Sequence, residues 1–203
     1  MTYGIRLGYD LSHMSGPDFE VVILTGGASR RMGFDKSSLM IDGKRLVGKL
    51  IQECDSLDCP ITVLGRFPEP GAAFLADKSD YSGPLANLRA FSPSKDFIFV
   101  LSCDIVLFNA CNIPKLRDSI LAYQAVIPVL EGFDQPLCAM YTNQAFSILF
   151  ANENIIRVKD WTSLLHVKRI EEDDLNSLGI QPISCVGANT MEAFQRLISA
   201  DRQ

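Results

Sequence analysis

Short apolar runs alternate along the chain with segments whose apolar residues recur at helical spacing. Glu20 to Leu24 (EVVIL) is a β-branched and aliphatic run that stops at a glycine pair, the pattern of a buried strand feeding a loop. Leu46, Val47, Leu50, Ile51 and Cys54 then form one stripe on a helix that Pro60 has ended. Ile61 to Gly65 (ITVLG) reads as a second buried strand, and RFPEPG as an irregular loop with two prolines. Gly83-Pro84 is a turn opening a short helix, with proline near its first position. Asp96 to Asp104 (DFIFVLSCD) is the most hydrophobic strand and ends in a carboxylate. Leu116, Ile120 and Leu121 predict another amphipathic helix, AVIPVL and PLCAMY two more strands, and Met191, Phe194, Leu197 and Ile198 one face of a final helix. Strands alternating with helices predict an α/β layered fold with a mainly parallel sheet, which binds ligands at the carboxyl ends of its strands.

Composition fits that reading. With 203 residues, 47% of them hydrophobic, the chain can bury a substantial core as one domain. We expect that domain to span residues 19–203, after a loose N-terminal arm over residues 1–18, which lacks periodicity. The net charge of −5 and scattered basic residues argue against a general nucleic-acid binder. No apolar stretch approaches the roughly 20 residues that cross a bilayer. The six cysteines form no C-x-x-C pair and the two histidines lie far apart, so a zinc site is not expected. Reduced thiols and the absence of a signal peptide point to the cytoplasm.

The candidate chemistry begins in LTGGASRRMGFDKSSL, residues 24–39. A Walker A loop needs four residues between its glycine and the G-K-[ST] triplet; here five separate Gly27 from Gly33, and Lys36 does not follow that glycine. The dinucleotide fingerprint G-x-G-x-x-G is absent too. Two readings remain: a loop whose glycines bring backbone N–H groups to an anion, with Arg30, Arg31 and Lys36 adding charge, or a glycine turn carrying solvated basic residues.

The spacing L-x-G-G-x-S-x-R-M-G-x-D-K resembles the opening motif of the nucleotidyltransferase superfamily, and most closely the molybdenum cofactor guanylyltransferases. DYSGPLANL (Asp80 to Leu88) is similar to that family's G-P-L-A-G segment, FVLSCD (Phe99 to Asp104) to its strand ending in the metal aspartate, QPLCAMY (Gln135 to Tyr141) to its Q-P-L-x-A-x-Y strand, and GANTMEAF (Gly187 to Phe194) to its N-x-N-T-P-E-D-L helix entry. These matches run through residues 20–198. The resemblance implies a three-layer Rossmann-like nucleotidyltransferase fold with a mixed, mainly parallel sheet. It also implies transfer of GMP from GTP to the phosphate of molybdopterin-bound molybdenum cofactor, releasing pyrophosphate, with Mg²⁺ as cofactor and molybdoenzyme chaperones as further partners. Cytidylyl transfer to the same pterin, nucleotidyl transfer to another phosphorylated small molecule, and a non-catalytic nucleotide-binding relative are the alternatives.

By the same resemblance, Leu24, Thr25, Gly26 and Gly27 line the nucleotide. Lys36 reaches the phosphates and Arg31 stabilises the departing pyrophosphate; Arg30 is read as solvated. Asp104 holds Mg²⁺, its structural alternative being a helix N-cap. Asn189 is a second ligand or phosphate contact, or a cap. Asp77, preferred over Asp80, and the Gly83-Pro84 backbone read the base, since guanine presents a pair of donors that cytosine lacks. Gln135 and Pro136 shape the acceptor side, and Arg157 is a weaker candidate there. Four positions depart from the family pattern: Thr25, Asn87, Val106 and Gly187 stand where alanine, glycine, proline and asparagine are usual. Gly187 removes a polar contact near the metal, and Asn87 is expected to narrow the approach to the base.

Overall fold

The computed structural model describes residues 16–25, 40–41, 43–77 and 83–201. Its frame is one sheet, built on β1 (Phe19–Leu24), β4 (Ile61–Gly65), β5 (Ala73–Ala76), β6 (Phe97–Ser102), β7 (Ala125–Leu130), β9 (Cys138–Thr142) and β10 (Val167–Ile170). The spatial order is β10-β7-β9-β6-β1-β4-β5. A two-residue strand β8 (Phe133–Asp134) hairpins onto β7, and β2 (Met40–Ile41) pairs with β3 (Lys44–Arg45) apart from the sheet. All the pairings along this order are parallel except those of β9, which runs antiparallel to both β6 and β7.

Period-two alternation divides the core into two layers. Val21, Ile23, Phe99, Leu101 and Met140 face one side, where α1 (Leu46–Asp55), α3 (Asn112–Asp118), α6 (Glu172–Ser177) and α7 (Met191–Asp201) contribute Leu50, Leu116, Leu175 and Phe194. Val22, Leu24, Ile98, Val100 and Tyr141 face the other, against α2 (Gly83–Ala90), α4 (Asn143–Ala151) and α5 (Val158–Thr162). There Trp161 stacks on Tyr141 with ring centroids 4.6 Å apart, and its indole N–H donates to the Ala145 carbonyl at 3.1 Å. Helices on both faces of a mainly parallel sheet are the α/β layered arrangement that the alternation predicts, in the three-layer form that the family resemblance implies.

Two helix readings need correction. The helix predicted from Leu116, Ile120 and Leu121 ends at Asp118; Ile120 is buried just beyond it, while Leu121 has φ +40° and is 80% exposed. A residue in the left-handed region leaves the helical path, so Leu121 cannot share the stripe. On the last helix, Phe194 is buried and Leu197 and Ile198 pack partly against the core, but Met191 is exposed.

Candidate active site

The site is the carboxyl edge where β1 and β6 lie side by side. Leu24 is paired with Ser102, and the Cys103 N–H donates to the Leu24 carbonyl at 2.9 Å, so the chain leaving β6 runs beside the chain leaving β1. β1 crosses over to β4 on one side, and β6 is reached on the other: this is a point where the strand order reverses, and it leaves a crevice. Thr25 is tied to β4 through its N–H and its hydroxyl, which donate to the Leu64 carbonyl at 2.9 and 3.3 Å. The hydroxyl that distinguishes this chain from the family's alanine is thereby used within the fold.

Asp104 follows two residues after β6 and is 6% exposed. It does not cap a helix: α3 begins only at Asn112, with Cys111 at its N-cap. Instead the tail of the chain closes on it. Ile105 bridges Gly187, and the Ala188 N–H donates to the Asp104 carbonyl at 2.8 Å. A Cβ at position 187 would stand 3.3 Å from the nearer carboxylate oxygen. Glycine at this position therefore lets the main chain of the tail come close to Asp104. Asn189 comes two residues later, and the α7 cap is Thr190, whose hydroxyl accepts from the Ala193 N–H at 3.1 Å. Capping is thus assigned to Thr190, and Val106 is buried in the core beneath.

A buried carboxylate against a glycine, with a carboxamide one residue beyond the Ala188 that bonds its backbone, is a small hard-oxygen donor set. It suits Mg²⁺, which keeps several waters and takes one or two carboxylates plus substrate phosphates. Cys138 and Cys185 also lie near, but the hydrogen bond between them, together with burial, holds the Cys138 thiol well above its ordinary pKa. The same hydrogen bond lowers the pKa of the Cys185 thiol, so the two sulfurs serve each other. Among the described residues no group of three or more His, Cys, Asp or Glu side chains could hold a metal, and no helix is long and apolar enough to cross a membrane.

The β7–β9 half of the edge carries Gln135 and Pro136. The Leu137 carbonyl accepts from the Ser102 N–H at 2.7 Å, and the buried Tyr141 hydroxyl donates to the Pro136 carbonyl at 2.7 Å, fixing this segment beside the end of β6. Gln135, Gly187 and Asn189 line one cavity of about 350 Å³, together with Phe133 and Glu172. On the opposite half, Asp77 follows β5 and its N–H donates to the Gly65 carbonyl at 2.8 Å, while Gly83 (φ +67°) and Pro84 open α2.

The fold thus brings Leu24, Thr25, Asp104, Gln135, Pro136 and Asn189 to one edge, with Asp77 and Gly83-Pro84 farther along it. Gly26, Gly27, Arg30, Arg31, Lys36 and Asp80 lie outside the described residues. Arg157 is committed elsewhere, paired with Asp160 at 2.8 Å on an exposed turn. Asn87 is buried on α2. Sequence reasoning missed Phe133 and Glu172. Its available signal was the Glu-Gly pair between AVIPVL and FD, a two-residue hairpin turn that places Phe133 at the edge.

The sequence matches the MobA-like NTP transferase domain over residues 21–164. The chain belongs to this family. A relative in Bacillus licheniformis named "Probable molybdenum cofactor guanylyltransferase" is 32% identical over 191 residues, covering 87% of this chain and 94% of the relative. One of the same name in Bacillus subtilis is 28% identical over 192 residues, covering 87% and 92%. Among solved structures, the Archaeoglobus fulgidus molybdopterin-guanine dinucleotide biosynthesis protein A superposes with a TM-score of 0.72 at 20% identity, covering 91% of this chain and all of that one. The mixed sheet with helices on both faces is therefore the fold of this transferase family. Its matched residues hold β1 from Val21 onward and Asp104, whereas Gly187 and Asn189 lie beyond them.

Proposed function

We propose that this chain is a guanylyltransferase that moves GMP from GTP to the terminal phosphate of molybdopterin-bound molybdenum cofactor, in the cytoplasm, and passes the product to molybdoenzyme chaperones. An oxygen of the acceptor phosphate forms a bond to the α-phosphorus. The bond from that phosphorus to the bridging oxygen breaks, and its electron pair leaves with pyrophosphate. The nucleophile is already anionic, so no histidine or serine is needed to activate it; positioning and charge neutralisation do the chemistry. The observation that carries this reading is Asp104 on the seam between two halves of the edge, one formed by the end of β1 and the other by the Gln135-Pro136 segment.

In this assignment Leu24, Thr25, Gly26 and Gly27 present backbone groups to the nucleotide, Lys36 and Arg31 neutralise the phosphates, and Asp77 with Gly83-Pro84 reads guanine. Gln135 and Pro136 position the acceptor. Asp104 and Asn189 would hold a divalent ion of the kind nucleotidyltransferases of this family generally use, here Mg²⁺. When bound, it would supply charge stabilisation at the phosphates.

The test is product formation from GTP, Mg²⁺ and loaded molybdopterin, followed by mass spectrometry. Asp104→Ala and Lys36→Ala should each lower kcat by about a hundredfold or more. Wild-type turnover in both variants, or a preference for CTP or UTP over GTP, would contradict the assignment.

A further inference from the structure

One aromatic side chain at this edge is held out into water by a rigid frame. Phe133 is 71% exposed, although a phenyl ring gains about 1.5–3 kcal/mol by burial. Its backbone is fixed on every side. The preceding turn, Glu131 (φ +50°) and Gly132 (φ +76°), is a two-residue hairpin with both residues left-handed, a conformation glycine adopts freely and glutamate does not. The Glu131 N–H donates to Glu172 Oε1 at 2.8 Å. Asp134 is gripped by Arg169 through two 2.9 Å bonds, and Gln135 Nε2 donates to the Phe133 carbonyl at 3.0 Å. The ring lines two cavities, one with Glu172, Gln135 and Asn189, the other with Pro136, Lys159 and Thr162.

We propose that Phe133 is the stacking platform for the pterin ring of the acceptor, and that Glu172 reads the donor edge of that ring. A pterin is a flat heteroaromatic bicycle whose amide N–H and exocyclic amino group form a donor pair. An aromatic face and a carboxylate within one cavity complement both features. Guanine carries the same donor pair, but the cavity opens on the β7–β9 side of Asp104, whereas Thr25, Asp77 and Gly83 belong to the β1–β4–β5 side. Glu172 is oriented by the Glu131 backbone rather than by another side chain, so its carboxylate is set before any ligand arrives.

This inference rests on the acceptor reading above, and its test needs no turnover. 6-Carboxypterin is titrated into the full chain and its fluorescence followed, with GTP binding measured in parallel. The wild type should quench it saturably. Phe133→Ala should weaken binding about tenfold, with Phe133→Tyr close to the wild type, because base-on-ring stacking is lost only in the first. Glu172→Gln keeps an oxygen for the Glu131 N–H yet should weaken binding by about fivefold or more. GTP affinity should not move. No saturable quenching by the wild type, either Phe133→Ala or Glu172→Gln within about twofold of it, or a parallel loss of GTP affinity overturns the proposal. A chain that binds the probe but forms no guanylylated product would contradict the proposed reaction and leave the pterin site standing.

Discussion

Position 187 decides how much room Asp104 has. Its backbone bridges Ile105, and a Cβ there would stand 3.3 Å from the carboxylate. The main chain there is not in a region reserved for glycine, so a larger residue is excluded by what it would touch and not by φ. Gly187→Val would press two methyl groups toward the carboxylate and turn it. We expect the Mg²⁺ concentration for half-maximal turnover to rise about tenfold, in line with other disturbances around a metal ligand. The melting temperature should stay within about 4 °C, because the site is at the edge of the core. Unchanged metal dependence would show that Asp104 does not need this space. The glycine was readable in the sequence only as a departure from a family asparagine. That the departure spares Asp104 a close contact, instead of only removing a ligand, follows from where the Cβ would stand.

At the level of elements, β1 carries more than its apolar run. Glu20 is a buried carboxylate at the start of that run, accepting from the Ser94 N–H at 2.6 Å, the Ser94 hydroxyl at 3.0 Å and the Lys95 N–H at 2.9 Å. It clamps the loop that delivers β6 into register with β1, and β6 delivers Asp104. Replacing it with alanine strands buried donors, so Glu20→Ala should lower stability by about 2–3 kcal/mol, seen as a lower urea midpoint at constant slope. An unchanged midpoint would mean the loop holds its place without the clamp. The strands β1, β4 and β6 were legible because a parallel strand buried on both faces reads as a continuous apolar run. β5 was not: Ala73, Phe74 and Ala76 are exposed at the sheet edge, and their pattern carries no burial signal. The β9 strand was visible but its direction was not, since alternation is the same in either sense. The segments α4, α5, β10 and α6 were also missed, being short and held mainly by tertiary contacts such as Trp161 on Tyr141.

For the whole molecule, the site is assembled from distant parts of the chain. The motif loop comes from the first quarter, Asp104 from the middle, the Gln135-Pro136 segment from the second half and Gly187-Asn189 from near the end. Motif spacing made the first of these readable; the cavity beside Phe133 exists only once β8, α6 and the tail meet. A chain cut after residue 164, the limit of the family match, would lose Leu175, Ile180, Cys185, Ala188 and Phe194, all buried on one face of the sheet. We expect it to bind a dye for exposed apolar surface and to unfold without a sharp transition. Cooperative melting like that of the full chain would show that the tail is dispensable. The contact between Ile105 and Gly187 then has a meaning in time as well as in space. During synthesis the carboxylate of Asp104 emerges long before the strand that braces it, so the nascent chain carries all of the motif loop yet no finished crevice. In the proposed site, competence to hold a metal and a nucleotide arrives late, when residues 187–189 dock, and a ribosome-bound chain stalled before them would contain the motif loop, Asp104 and the Gln135-Pro136 segment and remain idle.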